Sequence, residues 1–571
     1  MTVSAGRGRV LLWSLAAGVL LWLPAPGEPM PLGGLLALGA LAPLLLLVRP
    51  GNGLSRRRAW LGAFLAGAVY YALADSWLLH HFAWIHPFKS AGSAAVMLAG
   101  LFLFARMAGR GTPLPLAAGL AWAAGEWLRS RLPELPYPHH QICHSLYLQR
   151  WFVGSASFLG ETGLNFLAAF SAGALAWLWL SWREGRPRRG RALAWAGGAL
   201  LLLAGNALLA RFALEGGETR PGPRVALVQG MLSLYGKSLH GTEASEFQEQ
   251  LRLTEEAGKE GPLDLLVWSE TTFPVSLVLA PEGAARTLLG GGPAPDPARS
   301  RREASYFVRR ILERVSLREG GGFVAGALAL CPLRGDPSLL VPENRAFLWD
   351  RRGRLLGSVA KVHLVPGGEY LPFLRRLPFG LGLAAVRFFG RLGVPTLQAG
   401  QGGLTLELPR TGRFGLAVCY DNAFADHFAR ATREGAQWHL VLSNELWYED
   451  GAELDQMLAM TVFRALECRR AVVRCTNSGI TCMVGPWGKI GPVLRKKGRD
   501  RGIRGILQVQ VPLASGRTWT ATVSGWPGLG VLILAFLLAF FLPPWPGADP
   551  GGRMARILKK REVSPGEGEF P

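Results

Sequence analysis

Long apolar runs, each close to the length of a membrane-spanning helix, dominate the N-terminal part of the chain. A helix needs about 20 mostly apolar residues to cross the hydrocarbon core of a bilayer. Eight segments fit this pattern: residues 10–25, 32–48, 59–79, 90–108, 114–128, 162–182, 191–212 and 526–545. They predict a polytopic α-helical membrane domain of about seven helices over residues 1–219, and one further helix with a basic tail over residues 516–571.

Between residues 220 and 515 the pattern changes to short β-rich runs that alternate with amphipathic stretches. Several runs are apolar on both faces, which is typical of strands buried beneath helices. The predicted strands are residues 225–229, 263–268, 323–328, 346–349, 355–360, 414–418, 439–442 and 472–474, and the predicted helices are residues 247–257 and 457–469. This alternation predicts an α/β domain. Residues 281–304, rich in Gly, Pro, Ala and Arg, are expected to form an inserted surface loop.

Composition agrees with a membrane protein and disfavours a nucleic-acid-binding one. Of the 571 residues, 49% are hydrophobic and only 18% are charged, whereas soluble chains carry about a quarter charged residues. The net charge of +22 comes from basic residues that cluster in short loops between apolar runs. Because such loops stay in the cytoplasm, their distribution predicts cytoplasmic termini and places the α/β domain outside. We expect no nucleic-acid partner.

Six cysteines are scattered along the chain without a Cys-x-x-Cys or Cys/His pattern. We therefore expect neither a metal site nor a cofactor. A disulfide among Cys331, Cys475 and Cys482 stays open, because it depends on a geometry that the sequence does not give.

Three ionisable side chains that could take part in catalysis stand where predicted strands end: Glu270, Lys361 and Cys419. Each alone has an ordinary explanation, as a solvated carboxylate, a surface lysine and a small buried hydrophobe. Together they suit a nucleophilic cysteine, because a thiol with a pKa of about 8.5 is only a few per cent ionised at neutral pH and benefits from a base and a nearby cation. The sequence thus predicts Glu270 as the base, Lys361 as the cation and Cys419 as the nucleophile.

At these residues the chain resembles the nitrilase superfamily, in which a Glu-Lys-Cys triad lies on an αββα sandwich. The membrane context narrows the resemblance to the apolipoprotein N-acyltransferase family. Further similar blocks are residues 126–129, 160–164, 225–230, 363–370, 443–448, 464–467 and 474–480. The implied fold class is a polytopic α-helical membrane domain plus an α/β nitrilase-like αββα sandwich domain.

The resemblance implies a two-step acyl transfer at the bacterial inner membrane, with the catalytic domain in the periplasm. Cys419 would take an acyl chain from a phospholipid as a thioester and pass it to the α-amine of the diacylglyceryl-cysteine that begins an apolipoprotein. The partners would be these two substrates, the enzyme would be a monomer, and no cofactor or metal would take part. Supporting or substrate-binding roles are expected for Glu369, Tyr420, Asp421, Asn444 and Trp447.

Four positions depart from the family pattern. Asp421 stands where Glu is usual, Gly367 where Phe is usual, and Met231 and Met457 where Asn and His are usual. None of them removes a triad member, but two alternatives stay open. A membrane-tethered carbon-nitrogen hydrolase would keep the triad and use water as the acceptor, whereas a catalytically silent scaffold would explain only the apolar spans.

Several remaining features have both a structural and a functional interpretation. Glu126 and Arg129, one helical turn apart, would form an ion pair or line a substrate entrance. Residues 373–389 mix aromatic, aliphatic and Arg residues, which suits either an arm at the membrane interface or a helix packed on its own domain. Solvated side chains, rather than metal ligands, are expected for the histidines of the predicted outer loops: His80, His81, His86, His139, His140 and His144.

Overall fold

The computed structural model describes residues 7–27, 33–80, 83–184, 189–232, 242–280, 287–288, 294–374, 377–391, 396–541 and 543. Its first part is helical because its long runs of Leu and Ala have high helix propensity. The helices of this part are α1 (Arg7–Trp22), α2 (Gly33–Ala40), α3 (Ala42–Val48), α4 (Arg56–Ala74), α5 (His86–Gly109), α6 (Leu114–Arg129), α7 (Arg150–Val153), α8 (Ala156–Glu184) and α9 (Arg189–Glu215).

Several of these helices are of the membrane-spanning kind, which confirms the predicted apolar helical region. Within the described ranges, His86–Gly109, Ala156–Arg183 and Arg189–Glu215 are long and apolar enough to cross a bilayer, and shorter apolar helices cover Gly8–Trp22, Gly34–Val48 and Trp526–Phe540. The span predicted at 32–48 is divided into α2 and α3, because Pro43 occupies the first turn of α3.

The second part alternates strands with helices. Its strands are β1 (Arg220–Gln229), β2 (Leu263–Trp268), β3 (Leu277–Val278), β4 (Thr287–Leu288), β5 (Leu317–Leu333), β6 (Asp336–Asp350), β7 (Leu355–Ala360), β8 (Thr405–Leu408), β9 (Gly412–Val418), β10 (Trp438–Ser443), β11 (Val472–Thr476), β12 (Cys482–Val484), β13 (Ile490–Val493) and β14 (Gly505–Leu513). Its helices, with the C-terminal ones, are α10 (Thr242–Lys259), α11 (Pro297–Leu312), α12 (Phe379–Arg391), α13 (Ala425–Arg433), α14 (Glu453–Cys468), α15 (Trp519–Val523) and α16 (Trp526–Phe540). All the predicted strands and both predicted helices of this region are present.

The strands form two sheets. One has the order β14-β1-β2-β5-β6-β4, with β3 beside β5 and β7 beside β6, and the other has the order β13-β12-β11-β10-β9-β8. Strands β1, β2 and β5 run parallel, as do β9, β10 and β11. Their carboxyl ends therefore lie at one edge of each sheet, where an α/β fold presents reactive groups.

The two sheets pack face to face, with helices on the outside. Alternate residues of β1, Val225 and Leu227, share one apolar cluster with Leu416 and Val418 of β9. The residues between them face the other way, and that face packs against α10 and α11. Because successive side chains of a strand point to opposite faces, this alternation produces the four layers of an αββα sandwich.

Helix α14 joins the sandwich to the N-terminal helices. Fifteen of its 16 residues are buried. One apolar cluster extends from Ala417 and Val441 of the second sheet through Phe463 of α14. It continues to Phe152 and Leu164, which lie on the N-terminal helices α7 and α8. The sandwich and the helical region thus share a continuous core.

The prediction of a surface loop over residues 281–304 is wrong at its end. Helix α11 begins at Pro297, and the side chain of Asp296 caps it by accepting hydrogen bonds from the backbone N–H groups of Ala298 (2.9 Å) and Arg299 (3.1 Å). Ala304 is buried at helical spacing with Val308. The Arg-rich composition had hidden this apolar stripe, and residues 281–286 and 289–293 lie outside the described part of the chain.

The aromatic and Arg-rich segment predicted at 373–389 contains helix α12. Leu381 and Phe388 expose 62% and 61% of their surface, whereas Val386 packs against Leu339 and Val341 of β6. The helix therefore contacts its own domain through one side and presents large apolar side chains on another, which combines the two interpretations.

Candidate active site

The three strand-end residues are held at the open edge of the two sheets. Glu270 lies two residues beyond β2, Lys361 directly follows β7, and Cys419 directly follows β9. The first two belong to one sheet and the cysteine to the other. The face-to-face packing of the sheets is what brings a base and a cation from one layer to a thiol from the other.

Glu270 is buried and held by neutral donors as well as by a cation. Its Oε1 accepts a hydrogen bond from Asn344 Nδ2 (2.6 Å) and lies 3.6 Å from Lys361 Nζ. Its Oε2 accepts one from the backbone N–H of Asn444 (2.5 Å). Gly326 of β5 makes room for this segment, because a Cβ there would lie 2.6 Å from the Cα of Glu270.

Lys361 is 1% exposed and also contacts a second carboxylate. Its Nζ donates to Glu369 Oε1 (2.7 Å), and Glu369 Oε2 accepts from the backbone N–H of Val365 (2.9 Å). Between them Gly367 has a φ of +79°, which favours glycine over the Phe usual in the related family. This turn fixes the second carboxylate against the ammonium group.

Cys419 begins a short 3₁₀ turn, Cys419–Ala423, with a φ of +50°. Only 7% of its surface is exposed. A non-glycine residue in the left-handed region costs of the order of 1–3 kcal/mol and persists where the surroundings impose it. The tight packing of β9 and the turn impose this conformation on the cysteine.

The electrostatic environment favours the protonated form of the Cys419 thiol. Burial and the Glu270 carboxylate raise the pKa of Cys419, and Lys361 offsets this only in part. Burial also raises the pKa of Glu270, opposed by Lys361. Burial alone would lower the pKa of Lys361, but Cys419, Glu369 and Glu270 raise it well above its usual value. A cationic lysine, a basic carboxylate and a neutral thiol are the result.

We call these four residues the reactive cluster: Glu270, Lys361, Glu369 and Cys419. They can perform nucleophilic catalysis, because a carboxylate able to accept the thiol proton and a cation able to stabilise an oxyanion converge on one cysteine.

Asn444 lies beside this cluster. Apart from its backbone bond to Glu270, its side chain accepts from Asn477 Nδ2 (3.1 Å). The next residue, Glu445, forms a fully buried ion pair with Arg474. Trp447 lies half-buried in the following 3₁₀ turn, Leu446–Tyr448.

Asp421 holds the backbone beside the cluster. Its carboxylate accepts hydrogen bonds from the backbone N–H groups of Val362 (3.2 Å), His363 (2.8 Å) and Val418 (3.2 Å). The side chain thereby connects the segment after Lys361 to the turn that begins at Cys419.

Tyr420 points away from the reactive cluster, toward the loop that follows α6. Its hydroxyl donates to the carbonyl oxygen of Pro136 (2.8 Å), and its ring stacks on His139 at 5.6 Å. His139 Nε2 lies 2.9 Å from Glu453 Oε1 on α14, and Asp75 Oδ1 lies 2.7 Å from His140 Nε2. We call this set the junction cluster: Asp75, Tyr137, His139, His140 and Glu453.

The expectation of solvated outer-loop histidines is wrong for three of them. His139, His140 and His144 are buried and each contacts a carboxylate, of Glu453, Asp75 and Glu161 respectively. The loop that carries them is covered by α14, which sequence spacing does not reveal. His81 lies outside the described residues.

Two further questions that the sequence left open have direct structural answers. Glu126 and Arg129 contact each other and are buried, and Arg129 Nη1 also donates to the carbonyl oxygen of Tyr137 (2.8 Å). All six cysteines lie in described parts of the chain, and each is a free, buried thiol. These six residues therefore form no disulfide.

Sequence reasoning missed Asn344, which donates directly to the Glu270 carboxylate. Glu343 and Asn344 are buried polar residues in the middle of β6, where they precede Arg345 and lie between two apolar runs. A polar pair inside a buried strand was the available signal, because such groups need partners.

Comparisons with known proteins agree over most of the chain. Residues 17–174 match the Apolipoprotein N-acyltransferase N-terminal domain family, and residues 224–521 match the carbon-nitrogen hydrolase family. The apolipoprotein N-acyltransferase of Rhizobium meliloti is 28% identical over 488 residues, which cover 81% of this chain and 82% of that protein. The apolipoprotein N-acyltransferase of Gloeobacter violaceus is 28% identical over 579 residues and 97% of each chain.

Among solved structures, Saccharomyces cerevisiae Nit3, a member of branch 10 of the nitrilase superfamily, matches with 18% identity and a TM-score of 0.33 over 57% of this chain and 96% of that one. The carbon-nitrogen hydrolase match spans just over half of the sequence and contains the whole reactive cluster. The chain therefore belongs to the carbon-nitrogen hydrolase family.

Proposed function

We propose that this protein is an apolipoprotein N-acyltransferase, which moves an acyl chain from a membrane phospholipid to the α-amine of a diacylglyceryl-cysteine at an apolipoprotein N-terminus. The observation that carries the proposal is the buried contact of Glu270 with Lys361 beside Cys419, in a chain whose first part matches the N-terminal domain of that enzyme family. The proposed division is a membrane domain at 1–219, a catalytic domain at 220–515 and a C-terminal helix and tail at 516–571.

In the first step Glu270 accepts the thiol proton while Cys419 Sγ attacks the ester carbonyl of the phospholipid. Lys361 Nζ and the backbone N–H that follows Cys419 stabilise the oxyanion of the tetrahedral intermediate. The C–O bond of the ester then breaks, Glu270 returns the proton to the departing alkoxide, and a lysophospholipid leaves. The acyl chain remains on Cys419 as a thioester.

In the second step the lipoprotein amine attacks the thioester. Glu270 accepts a proton from the amine, the C–S bond breaks, and Glu270 returns the proton to the departing thiolate of Cys419 as the amide product leaves. Glu369 keeps Lys361 in place through its 2.7 Å contact during both steps. Asn444 and Asn344 hold Glu270 in a single orientation through their hydrogen bonds.

Exposed apolar side chains near the reactive cluster in the sequence are an argument for lipid substrates. Helix α12 follows Glu369 closely in the chain and exposes Leu381 and Phe388, which suit contact with acyl chains. The N-terminal helices share a core with α14 behind the second sheet. With basic loops in the cytoplasm, the sandwich lies on the periplasmic side of a bacterial inner membrane.

The test is to incubate detergent-purified protein with phospholipid alone and to measure its intact mass. We expect a covalent adduct one acyl chain heavier, mapped to the peptide that contains Cys419 and released by hydroxylamine. Addition of a diacylglyceryl-cysteine peptide should discharge the adduct and yield an N-acylated peptide, because the two half-reactions of a ping-pong scheme are separable.

Two controls make the result decisive. The Cys475→Ala variant alters another fully buried thiol and should still form the adduct, whereas Cys419→Ala should not. Failure to form any adduct, combined with release of ammonia from simple amides, would replace the acyltransferase with a membrane-tethered amidase. If the protein neither forms the adduct nor releases ammonia, a catalytically silent scaffold would be favoured.

A further inference from the structure

A second group of potential ligands lies directly beside the reactive cluster. His363, Asp421 and His427 each offer one atom, and these atoms all lie within 4.8 Å of one another. His363 Nδ1 is 2.8 Å and His427 Nδ1 is 3.6 Å from Asp421 Oδ1. The three residues come from the segment after Lys361, the turn after Cys419 and helix α13, so the fold itself assembles them.

The tautomer of His427 follows from its other ring nitrogen. Nε2 lies 2.8 Å from the carbonyl oxygen of Leu416, which can only accept, so Nε2 carries a proton. In the neutral ring Nδ1 is then unprotonated and carries a lone pair. It faces the Asp421 carboxylate without a hydrogen-bond partner among the described residues. Two acceptors that face each other in a buried place repel unless a cation lies between them.

The surrounding contacts hold all three groups in orientations suited to ligation. A metal-bound histidine usually donates its second ring N–H to a carbonyl or carboxylate, as His427 does. The backbone N–H groups of Val362, His363 and Val418 donate to the Asp421 carboxylate, and such donors favour its ionised form. The ring of His363 stacks on Phe424, with centroids 3.7 Å apart and planes 8° apart.

An ion can reach this group from outside. The side chain of His363 is 25% exposed, whereas those of Asp421 and His427 are 1% exposed. His363 and Phe424 line a cavity of about 320 Å³ between the sandwich and the loop that follows α6. Water in this cavity can supply a further ligand on the side that the protein leaves open.

We propose that His363, Asp421 and His427 form a binding site for one divalent transition-metal ion of the zinc class. Two imidazole nitrogens and one carboxylate oxygen are ligands that zinc accepts, with tetrahedral ligand atoms about 3.4 Å apart for bonds of about 2.1 Å. The 3.6 Å separation between His427 and Asp421 fits this geometry, and the 2.8 Å contact of His363 has to lengthen. The sequence expectation of no metal site is thereby revised.

A metal ion at this site would connect the two segments that follow Lys361 and Cys419. His363 lies two residues after Lys361, and Asp421 lies two residues after Cys419. The ion would replace the short His363–Asp421 contact with three bonds and fix the two segments relative to α13. We assign it a positioning role, because none of its ligands contacts the thiol or the Glu270 carboxylate.

The experiment measures metal binding without substrate, so its outcome is independent of the acyl transfer. Full-length protein in detergent is freed of metal with a chelator and titrated with zinc chloride, and cobalt chloride is used as a spectroscopic substitute. We expect one zinc per chain, a rise in Tm, and a visible cobalt spectrum typical of tetrahedral nitrogen and oxygen ligands.

Variants identify the ligands. His427→Phe and His363→Ala should each weaken zinc binding by at least about 100-fold. His363 is partly exposed, so its variant remains informative if the buried substitution unfolds the protein. His439→Gln, which alters a buried histidine bonded to Thr432 in the same domain, and Cys419→Ala should keep the wild-type affinity. The proposal would be overturned if the wild-type protein takes up no zinc, or if His427→Phe and His363→Ala both bind zinc with wild-type affinity.

Discussion

The reactive cluster and the junction cluster are both buried and polar, yet their charges are arranged in opposite ways. In the reactive cluster two carboxylates and a thiol surround a single cation, Lys361. In the junction cluster each acid has its own base: Glu453 contacts His139, and Asp75 contacts both His140 and Lys89. Tyr420, which directly follows Cys419, contacts the junction cluster.

This difference is one of charge balance. A buried set in which acidic groups outnumber the cations costs stability, and such sets are typical of functional sites. A set in which each carboxylate contacts a base balances its own charges and fixes two elements together. In this molecule the balanced set lies where α14 meets the N-terminal helices, and the unbalanced set lies at the sheet edges.

The largest expected effect comes from the reactive cluster itself. Cys419→Ala should abolish transfer, and Glu270→Gln and Lys361→Ala should each reduce kcat by at least about 10,000-fold, because residues that act as a unit fail together. For the same reason the double variant should be little worse than either single one. Adduct formation and peptide acylation provide the measurements, and unchanged Tm values show that folding is preserved.

A strictly additive loss in the double variant would mean that Glu270 and Lys361 act in separate steps. An active Cys419→Ala protein would remove the thioester from the mechanism altogether.

The next effect concerns the partner that sequence reasoning missed. Asn344 donates to the ionised form of Glu270 and so lowers the pKa of that carboxyl, against the burial that raises it. Asn344→Leu should therefore raise the pKa of Glu270, move the acidic limb of the kcat/KM profile to higher pH and slow the reaction about 100-fold.

The base must be deprotonated to accept the thiol proton, so activity should rise with pH through the pKa of Glu270. Asn477→Leu is the matched control, because it alters an amide that bonds to Asn444 and to the backbone of Leu232 instead of to the Glu270 carboxylate. If Asn344→Leu lowers the rate without moving the acidic limb, Glu270 is not the titrating base.

The comparison also shows what sequence can and cannot reveal. The position of Glu270, Lys361 and Cys419 at strand ends could be predicted because the strands before them, β2, β7 and β9, are largely apolar runs. The alternation of strands and helices indicated the α/β fold. Asn344 was missed because its importance depends on the register of β6 against neighbouring segments. The burial of His139 and His140 was missed because it depends on how α14 packs across the helical region, about 300 positions away in the chain.

A smaller effect is expected at Asp421, where the related family usually has Glu. Its carboxylate accepts three backbone N–H donors at fixed distances, so one more methylene would displace the turn that carries Cys419. We expect Asp421→Glu to reduce transfer about 10-fold or more and Asp421→Asn to lower stability by about 2–3 kcal/mol, because it weakens charge-assisted hydrogen bonds.

Urea unfolding and the adduct assay measure the two effects. Asp426→Asn, a nearby carboxylate that is half exposed and contacts Arg131, should leave both quantities close to the wild-type values. Wild-type activity and stability in Asp421→Asn would show that the backbone donors at this turn need no charge.

The smallest effect on catalysis is expected from the junction cluster, although it contacts Tyr420, the residue that follows Cys419. His139 contacts Glu453 at 2.9 Å and lies between the rings of Tyr137 and Tyr420, at 4.7 Å and 5.6 Å. His139→Gln and Glu453→Gln should each lower stability by about 1–3 kcal/mol, because each weakens the buried hydrogen bond between these two side chains. Transfer should stay within about tenfold of wild type, since neither residue contacts the reactive cluster.

The double variant should be less destabilised than the sum of the two, because both substitutions remove the same interaction. Thermal unfolding and the adduct assay on the four proteins of this cycle give both quantities. A loss of transfer comparable to that of Cys419→Ala, in protein that still unfolds cooperatively, would place the junction cluster within the reaction and end the distinction between the two sets.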